Sequence, residues 1–461
     1  MNTESPGVEI IAGAPVYARD GEGTMVSLPY RRRSEDGVVT LLGVVNLRFN
    51  IVLPEPAPSG NATLPLGLLV AMAAGLPLRM EAPVSPLLLE NCDRFQEIHQ
   101  SFFPDETIVP IRAEAAAVTQ ARPALGVGSF LSNGVDSLHT ILARLDEITH
   151  FIFIIGFDIW LKHSEYAARS LAQARETAAK LGRPLIVVET NAFDFAHHYI
   201  PWPRDGHPLQ AGIGFLLSPL LGRIIQALDF SYRRFEVGPE HPHLYEALCS
   251  EGFHIQPSCG KYTRQQKVRR LCQSPEWLPH LRVCWDMPED RLNCGKCEKC
   301  LRTMIGLSVE GASALCPVLP ELKPEAVAQL TYASKSSSFY FDMLREAEVS
   351  PHVSPELLRA LRACVHRHQL EDLARKMLPL RHQLTGTRRY QQYEKKLRDP
   401  LFSLLQRIDE VWFWKKLRRH ASDFREDIRK VLRKSHKPLL KQGLRQAWLA
   451  RARSLFRRKS S

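Results

Sequence analysis

The chain has 461 residues, which is too long for one ordinary hydrophobic core and predicts two or three domains. Hydrophobic residues make up 44% and charged residues 24%, the balance of a folded globular protein and not of a disordered one. The sequence contains no apolar run of about 18 residues, and its start lacks the basic-then-apolar order of a signal peptide, so we expect a cytoplasmic protein.

The positive charge of the chain is concentrated at its C-terminal end. Residues 381–461 contain 24 Lys and Arg but 7 Asp and Glu, a net charge of +17, whereas the rest contains 37 basic and 42 acidic residues, a net charge of −5. Aromatic and basic residues are mixed in this tail, as in VWFWKKLRRH. Three interpretations stay open: the tail docks on the acidic body, lies peripherally on an anionic membrane surface, or binds nucleic acid.

The first 120 residues are predicted to form an N-terminal α+β domain. GVEIIAG, TMVSLPY and VVTLLGVVNLRFNIVL have the composition of strands. LPLGLLVAMAAGLP is predicted to be a helix, and so is the segment after Ser85, an N-cap residue followed by Pro86 at the first helical position. No motif in this segment indicates a function.

Residues 121–318 alternate apolar strands with helices, which predicts an α/β domain with a parallel sheet covered on both faces. The predicted strands are GVGSFL, HFIFIIGFD and RPLIVVET. The predicted helices are DSLHTILARLDEI, SEYAARSLAQARETAAKLG and LQAGIGFLLSPLLGRIIQAL, the last spanning residues 209–228. Residues 319–461 are predicted to form a helical, basic C-terminal region.

The stretch SFLSNGVDS combines features of a phosphate site. A strand ends in small polar residues, and a helix follows whose N-terminal N–H groups and dipole favour an anion. Gly134 allows a phosphate to approach the main chain, Ser132 and Ser137 can donate hydrogen bonds, and Asp136 can hold Mg²⁺. An N-cap turn without a ligand would explain the string alone, but the strand before it and the helix after it favour the phosphate site. A Walker A loop is excluded because the Gly-Lys-Ser/Thr ending is absent.

This stretch resembles the PP-loop motif Ser-Gly-Gly-x-Asp-Ser of the N-type ATP pyrophosphatases. The resemblance implies an adenine nucleotide alpha hydrolase-like fold, in which the loop holds the β- and γ-phosphates of ATP. ATP is then cleaved between the α- and β-phosphates, and AMP passes to a carbonyl or carboxylate oxygen. The loop residues implied by the resemblance are Ser132, Asn133, Gly134, Val135, Asp136 and Ser137. Asn133 stands where the motif has Gly, and Asn is the non-Gly residue that best tolerates positive φ.

The resemblance also implies residues outside the loop. The end of the second strand is expected to border adenine and ribose, and its candidates are Ile155, Gly156, Phe157 and Asp158. TRQQKVRRL resembles the segment that carries a lysine near the phosphates, with Lys267 as first choice and Arg264 as second. Packing is the alternative for Phe157, and a solvated helix face is the alternative for Lys267. Weaker candidates for substrate contacts are His197, His198, Arg204 and His207.

Four cysteines form a metal-ligand pattern. Cys284, Cys294, Cys297 and Cys300 are separated by nine, two and two residues, which suits a tetrahedral Zn²⁺ site that leaves no open position. Lys296, Lys299 and Arg302 can offset the charge of four thiolates. The rival interpretation is an iron–sulfur cluster, which thiolates also hold. In a reducing compartment the other six cysteines are simply small side chains, although Cys259 can lie near the site.

The loop and the cysteine pattern together resemble 7-cyano-7-deazaguanine synthases and their relatives, over about residues 120–310. The resemblance implies a carbon–nitrogen ligase that uses ATP and Mg²⁺ and contains Zn²⁺. It would adenylate a small-molecule or macromolecular carboxylate, which ammonia, an amine or sulfur then attacks. Two alternatives stay open: a non-catalytic ATP-binding sensor, and an RNA sulfur-transfer enzyme with an iron–sulfur cluster. The sequence leaves the oligomeric state open, a homodimer included.

Overall fold

A computed structural model of the chain describes residues 7–117, 126–201, 204, 206–234, 238, 241–333 and 336–377. The basic tail, residues 381–461, lies outside the described residues, so its binding to a membrane surface or to nucleic acid stays a prediction. Within the described residues, no helix combines the length and the apolar character needed to cross a membrane.

The chain forms two compact units. Among the described residues, the first comprises those up to Leu322 together with Arg345–Val353, and the second comprises Lys323–Leu344 and those from Ser354 to Met377. The strands of the described residues are β1 Glu9–Ala12, β2 Val16–Asp20, β3 Gly23–Arg33, β4 Val39–Phe49, β5 Leu78–Met80, β6 Ile111–Arg112, β7 Gly126–Phe130, β8 His150–Ile155, β9 Leu185–Thr190, β10 Leu221–Ala227 and β11 His254–Ser258.

Helices connect these strands and form most of the described part of the second unit. They are α1 Leu64–Ala74, α2 Pro86–Phe102, α3 Val135–Arg144, α4 Ser164–Lys180, α5 Ala192–Tyr199, α6 Gly206–Leu217, α7 Pro242–Glu246, α8 Arg264–Cys272, α9 Glu298–Val309, α10 Pro324–Gln329, α11 Ser337–Ala347 and α12 Pro355–Met377. Ser85 caps α2 by accepting a hydrogen bond from the Leu88 N–H at 3.2 Å, as the sequence predicts.

One mixed sheet runs through the first unit in the order β11-β10-β7-β8-β9-β4-β3-β1-β5-β6, with β2 paired to β3. Strands β11, β10, β7, β8 and β9 are all parallel to one another. Numbered along the chain, these five strands have the order 5-4-1-2-3, in which the direction of winding reverses between β7 and β10. This order is that of a doubly wound α/β fold, and the point of reversal is where such folds bind ligands.

The N-terminal strands belong to the same sheet. β4 pairs antiparallel with β9, with Leu47 opposite Thr190 and Phe49 opposite Val188. The segments predicted from sequence as 1–120 and 121–318 therefore share one continuous sheet within one compact unit.

Alternate residues of the parallel strands pack on opposite faces, which explains their wholly apolar sequences. Ile152 and Val188 contribute to one core, together with α1 and α6. Phe151, Phe153 and Val187 contribute to the other core, together with α3, α4, α8 and α9. Leu131, Val135 and Cys300 belong to the second core, so the Ser132–Ser137 loop and the cysteine cluster lie on the same face of the sheet.

The predicted single helix over residues 209–228 is wrong. The structure has helix α6 up to Leu217 and then strand β10, which pairs parallel with β7 and β11. Pro219 cannot continue a helix, and Ile224 and Ile225 are fully buried on the two faces of the sheet. A short apolar run that is buried on both faces has no periodicity that would separate it from a helix.

The described part of the second unit is helical, in line with the sequence prediction. Tyr332 precedes α11 and stacks on the rings of Tyr340 and His368, with centroid distances of 4.0 and 3.6 Å. The Cys364 thiol and the His368 Nε2 of α12 contact the carbonyl oxygen of Leu330 at the end of α10. These contacts fasten α12 to α10.

Candidate active site and metal centre

The Ser132–Ser137 loop lies at the carboxyl end of β7, where the sheet changes its direction of winding. β7 ends at Phe130, Gly134 is the N-cap residue of α3, and α3 begins at Val135. The first N–H groups of a helix have no acceptor within it and point out of its N-terminus. The predicted phosphate loop therefore occupies the position at which this class of fold binds anions.

Both serine hydroxyls of the loop stabilise the turn through hydrogen bonds. Ser137 Oγ donates to the Phe130 carbonyl oxygen at 2.7 Å and accepts the Ser132 N–H at 3.1 Å. Ser132 Oγ accepts the Gly134 N–H at 3.3 Å. These hydrogen bonds hold the loop in shape and occupy the N–H groups of Ser132 and Gly134.

Asn133 stands where the PP-loop motif that the stretch resembles has glycine, and the fold accommodates it. Its φ is +58°, in the left-handed region, and its side chain is 1% exposed. The Asn133 amide donates to Thr177 Oγ1 at 2.8 Å and to the His280 carbonyl oxygen at 3.0 Å. The side chain thus points into the protein body.

Arg282 fixes the loop from outside, and sequence analysis missed this residue. Its main-chain N–H donates to the Asn133 carbonyl oxygen at 2.9 Å, and its Nε donates to the Ser132 carbonyl oxygen at 3.1 Å. Arg282 is 5% exposed and lies two residues before the first cluster cysteine. The segment that carries the cysteine cluster therefore also positions the loop.

Two buried cations converge on Asp136. Lys267 Nζ lies 2.8 Å from Asp136 Oδ1, and Arg264 Nη1 pairs with Asp136 Oδ2. Lys267 is fully buried and also donates to the Leu228 carbonyl oxygen at the end of β10. The structure thus brings together Asp136, Lys267 and Arg264, which the sequence analysis had singled out in two distant segments.

The start of helix α8 explains why both cations reach the loop. Thr263 Oγ1 accepts the Gln266 N–H, and Gln266 Oε1 accepts the Thr263 N–H at 2.9 Å, so the two residues form a capping box. Arg264 and Lys267 stand three residues apart and share one helix face. α8 packs on α3, and this face meets Asp136.

The pKa values of Asp136 and Asp229 are shifted in opposite directions. Burial raises the pKa of Asp136, but Arg264 and Lys267 outweigh this effect and hold the pKa at about 2. Desolvation, followed by the neighbouring charge of Asp136, raises the pKa of Asp229. Asp229 follows β10 and is exposed. Sequence analysis missed Asp229 because it had placed its segment after a helix.

The four candidates at the end of β8 have different environments. Ile155 belongs to the second core and Phe157 packs against the first core, so packing explains both side chains. Gly156 has φ +107°, and a Cβ atom there would stand 1.7 Å from the Thr190 carbonyl oxygen, so only glycine fits. Asp158 is exposed, and its Oδ2 lies 3.9 Å from Lys299 Nζ.

The weaker candidates lie elsewhere. Arg204 pairs with Asp105 and Glu106, each at 2.9 Å, so its charge is used within the fold. The His207 ring is buried and contacts the ring of Tyr245. His197 and His198 are exposed on α5, which follows β9.

His139 is a buried neighbour of the site that sequence analysis also missed. It lies one helical turn after Asp136, is 2% exposed, and contacts the Tyr262 ring edge-on. Desolvation, together with the charges of Lys267 and Arg270, lowers the pKa of His139 to about 4. The imidazole is therefore neutral at pH 7.

The four predicted cysteines form one cluster. The sulfurs of Cys284, Cys294, Cys297 and Cys300 all lie within 4.8 Å of one another. The Cys294–Cys300 and Cys284–Cys297 sulfurs are 4.0 and 3.9 Å apart, close to the ~3.8 Å expected for thiolates ~2.3 Å from a tetrahedral Zn²⁺. The donor set and its geometry fit one metal ion. In a [4Fe–4S] cluster each thiolate binds a different iron, and in a [2Fe–2S] cluster the four thiolates are divided between two irons, so in either case some sulfur–sulfur separations would be wider.

Main-chain hydrogen bonds support this geometry. The N–H groups of Lys296 and Cys297 donate to Cys294 Sγ at 3.4 and 3.2 Å, and the Cys294 N–H donates to Cys284 Sγ at 3.3 Å. Gly295 has φ +73°, which the turn requires. Hydrogen bonds from Cys297 and Cys300 lower the pKa of Cys284 to about 4, the direction that favours a thiolate ligand.

Comparison of the chain with protein-family models, with curated proteins and with solved structures finds no match.

Proposed function

We propose that this chain is an ATP-dependent adenylating enzyme of the PP-loop class, which transfers AMP to a carboxylate or carbonyl oxygen. The observation that carries the proposal is the convergence of Lys267 and Arg264 on Asp136, at the N-terminus of α3 and at the switch point of the sheet. Helix N-terminal N–H groups and two buried cations at one edge suit a polyphosphate.

In the proposed reaction, a substrate carboxylate oxygen attacks the α-phosphorus of ATP. The bond from this phosphorus to the oxygen that bridges to the β-phosphate breaks, and pyrophosphate leaves with the electron pair. The product is an acyl-adenylate. Ammonia, an amine or a sulfur nucleophile then attacks the carbonyl carbon, and AMP leaves. The loop N–H groups, Lys267 and Arg264 supply positioning and charge neutralisation, which dominate catalysis of phosphoryl and nucleotidyl transfer.

The carboxylates at this edge fit a divalent cation. Asp136 and Asp229 are close enough for the first to raise the pKa of the second, a repulsion that a cation would relieve. These two residues would hold Mg²⁺, which supplies charge neutralisation on phosphate oxygens when bound. Zn²⁺ in the four-cysteine cluster would be structural, because all four tetrahedral positions are filled by sulfur.

The proposal is tested by nucleotide products. Purified full-length protein is incubated with Mg²⁺-ATP and a metabolite extract, and AMP, ADP and pyrophosphate are separated. We expect AMP and pyrophosphate from the wild type and a loss of about 100-fold or more in Asp136→Ala. Asp146→Ala is the matched control, because Asp146 is an exposed carboxylate just after α3. Formation of ADP in place of AMP would contradict the proposal.

A second candidate is an ATP-binding protein without turnover. The observation that favours it is that Ser137 and Asp136 already have partners within the protein. It predicts ATP binding without AMP formation in every extract. The third alternative, sulfur transfer to RNA with an iron–sulfur cluster, gains no support from the close spacing of the four sulfurs.

A further inference from the structure

Lys299 is placed by the cysteine cluster. It lies in the first turn of α9, between Cys297, the N-cap residue, and Cys300. Because both neighbouring cysteines belong to the cluster, a bound metal ion would fix the backbone on both sides of Lys299. The backbone that carries the Lys299 side chain is therefore positioned by the metal site.

The Lys299 ammonium reaches the carboxyl edge of the sheet. Nζ lies 3.9 Å from Asp158 Oδ2, after β8, and 4.0 Å from the centroid of the Trp285 ring. Its charge also acts on Asp229, after β10, and lowers the pKa that burial raises. β8 and β10 are the two neighbours of β7. Lys299 thus acts on residues at both sides of the strand that leads into the Ser132–Ser137 loop.

The cationic side chains at the carboxyl edge of the sheet occupy two separate positions. Arg264 and Lys267 are bound to Asp136 at the loop, whereas Lys299 is near Asp158 and Asp229. A separation of 3.9 Å is an ion pair and not a hydrogen bond, so the contact with Asp158 leaves the ammonium able to donate to a ligand. The Trp285 ring faces the ammonium and restricts where it can point.

We propose that Lys299 binds the α-phosphate of the nucleotide and that the four-cysteine cluster holds Lys299 in place for this contact. The inference rests on the proposed function, in which the loop takes the β- and γ-phosphates and the end of β8 borders the nucleoside. The α-phosphate then lies between these positions, on the side where Lys299 is found. Lys299 would neutralise charge on the phosphorus that is attacked.

Equilibrium binding tests this assignment without requiring turnover. The Kd values of AMP and of α,β-methylene-ATP with Mg²⁺ are measured by calorimetry for the wild type, Lys299→Ala and Lys299→Arg. We expect Lys299→Ala to weaken both ligands about tenfold, because a charge-assisted hydrogen bond is lost, and Lys299→Arg to recover most of the affinity. Equal losses for both ligands identify the α-phosphate, the only phosphate that AMP has.

Lys162→Ala is the matched control. Lys162 makes the same kind of contact with Trp160, at 4.2 Å from the ring centroid, but is exposed and comes from the loop before α4. We expect its Kd values to match those of the wild type. The metal content of Lys299→Ala should equal that of the wild type, which excludes collapse of the cluster as the cause of weak binding.

Metal removal tests the second half of the inference. Extraction of the metal with a strong chelator should raise the Kd of AMP in the wild type by the factor seen for Lys299→Ala, with little further rise in Lys299→Ala. Unchanged affinity in Lys299→Ala, or a loss confined to the ATP analogue, would overturn the assignment while leaving the proposed function intact. A wild type that binds neither nucleotide would overturn both.

Discussion

At the scale of single residues, the candidate site is held by side chains whose partners lie far away in the sequence. Asp136 was singled out because a carboxylate opens a helix after a strand, and Lys267 and Arg264 because of a resemblance. Their contact joins residues 131 and 128 positions apart. No spacing rule predicts Asp229 or Arg282, because their importance comes from the neighbours that the fold gives them. Asp229 has its carboxyl near Asp136, and Arg282 holds the loop carbonyls.

Asn133 provides a test of the loop at this scale. Asn133→Gly and Asn133→Ala both remove the hydrogen bonds to Thr177 and His280. Only alanine has a Cβ atom that is sterically strained at φ near +58°. We expect both variants to lower the free energy of unfolding, and alanine to cost about 1 kcal/mol more than glycine. Urea unfolding followed by tryptophan fluorescence measures the difference. Equal stabilities would show that the left-handed backbone at this position costs nothing.

At the scale of elements, strands and helices with a clear pattern were predicted well. β7, α3, β8, α4 and β9 all lie where the apolar runs and helix caps indicate. β10 was mistaken for the end of a helix, and this strand pairs with β7 to create the switch point. A strand buried on both faces shows only a run of apolar residues, which the sequence pattern cannot distinguish from a buried helix. The strand that creates the switch point was therefore the one that the sequence did not predict.

The cysteine cluster is an element whose metal can be tested directly. We expect the purified protein to contain about one Zn²⁺ per chain and to lack the absorption at about 400 nm that iron–sulfur clusters give. Cys297→Ser should lower the zinc content and the melting temperature, because it removes a candidate ligand. Serine is a favourable N-cap residue, so the start of α9 at this position should not be weakened by the change itself. Cys272→Ser, which changes a cysteine outside the cluster, should leave the zinc content unchanged. A brown protein that contains iron would contradict the prediction.

At the scale of the whole molecule, the sheet joins segments that look independent in sequence. The N-terminal strands were predicted from composition, but their pairing with β9 depends on the antiparallel contact of β4, which no local pattern encodes. Burial at this scale also creates titrating groups that sequence does not reveal. His207 and His139 are buried on different parts of the same unit, and both have a depressed pKa.

These two histidines predict acid sensitivity near neutral pH. Desolvation lowers the pKa of His207 well below 6.5, with further contributions from His99 and His241. Desolvation lowers the pKa of His139 to about 4, with contributions from Lys267 and Arg270. Each imidazole is neutral in the folded state, whereas the unfolded chain binds a proton near pH 6.5. Each therefore contributes stability that is present above about pH 6.5 and is lost as the pH falls below it.

We expect the free energy of unfolding to fall by about 1.4 kcal/mol per pH unit for each of these histidines between about pH 6.5 and 5. His207→Leu should lower the slope of the free energy of unfolding against pH by the contribution of one histidine, because only the wild type takes up that proton on unfolding. This change in slope is independent of the effect of the substitution on stability at pH 7.5. His198→Gln is the control, since His198 is exposed on α5 and should leave the slope unchanged. Urea unfolding at pH 7.5, 6.5, 5.75 and 5.0 gives the slopes. A His207→Leu profile parallel to that of the wild type would show that His207 is protonated in the folded protein, with its charge compensated by a neighbour.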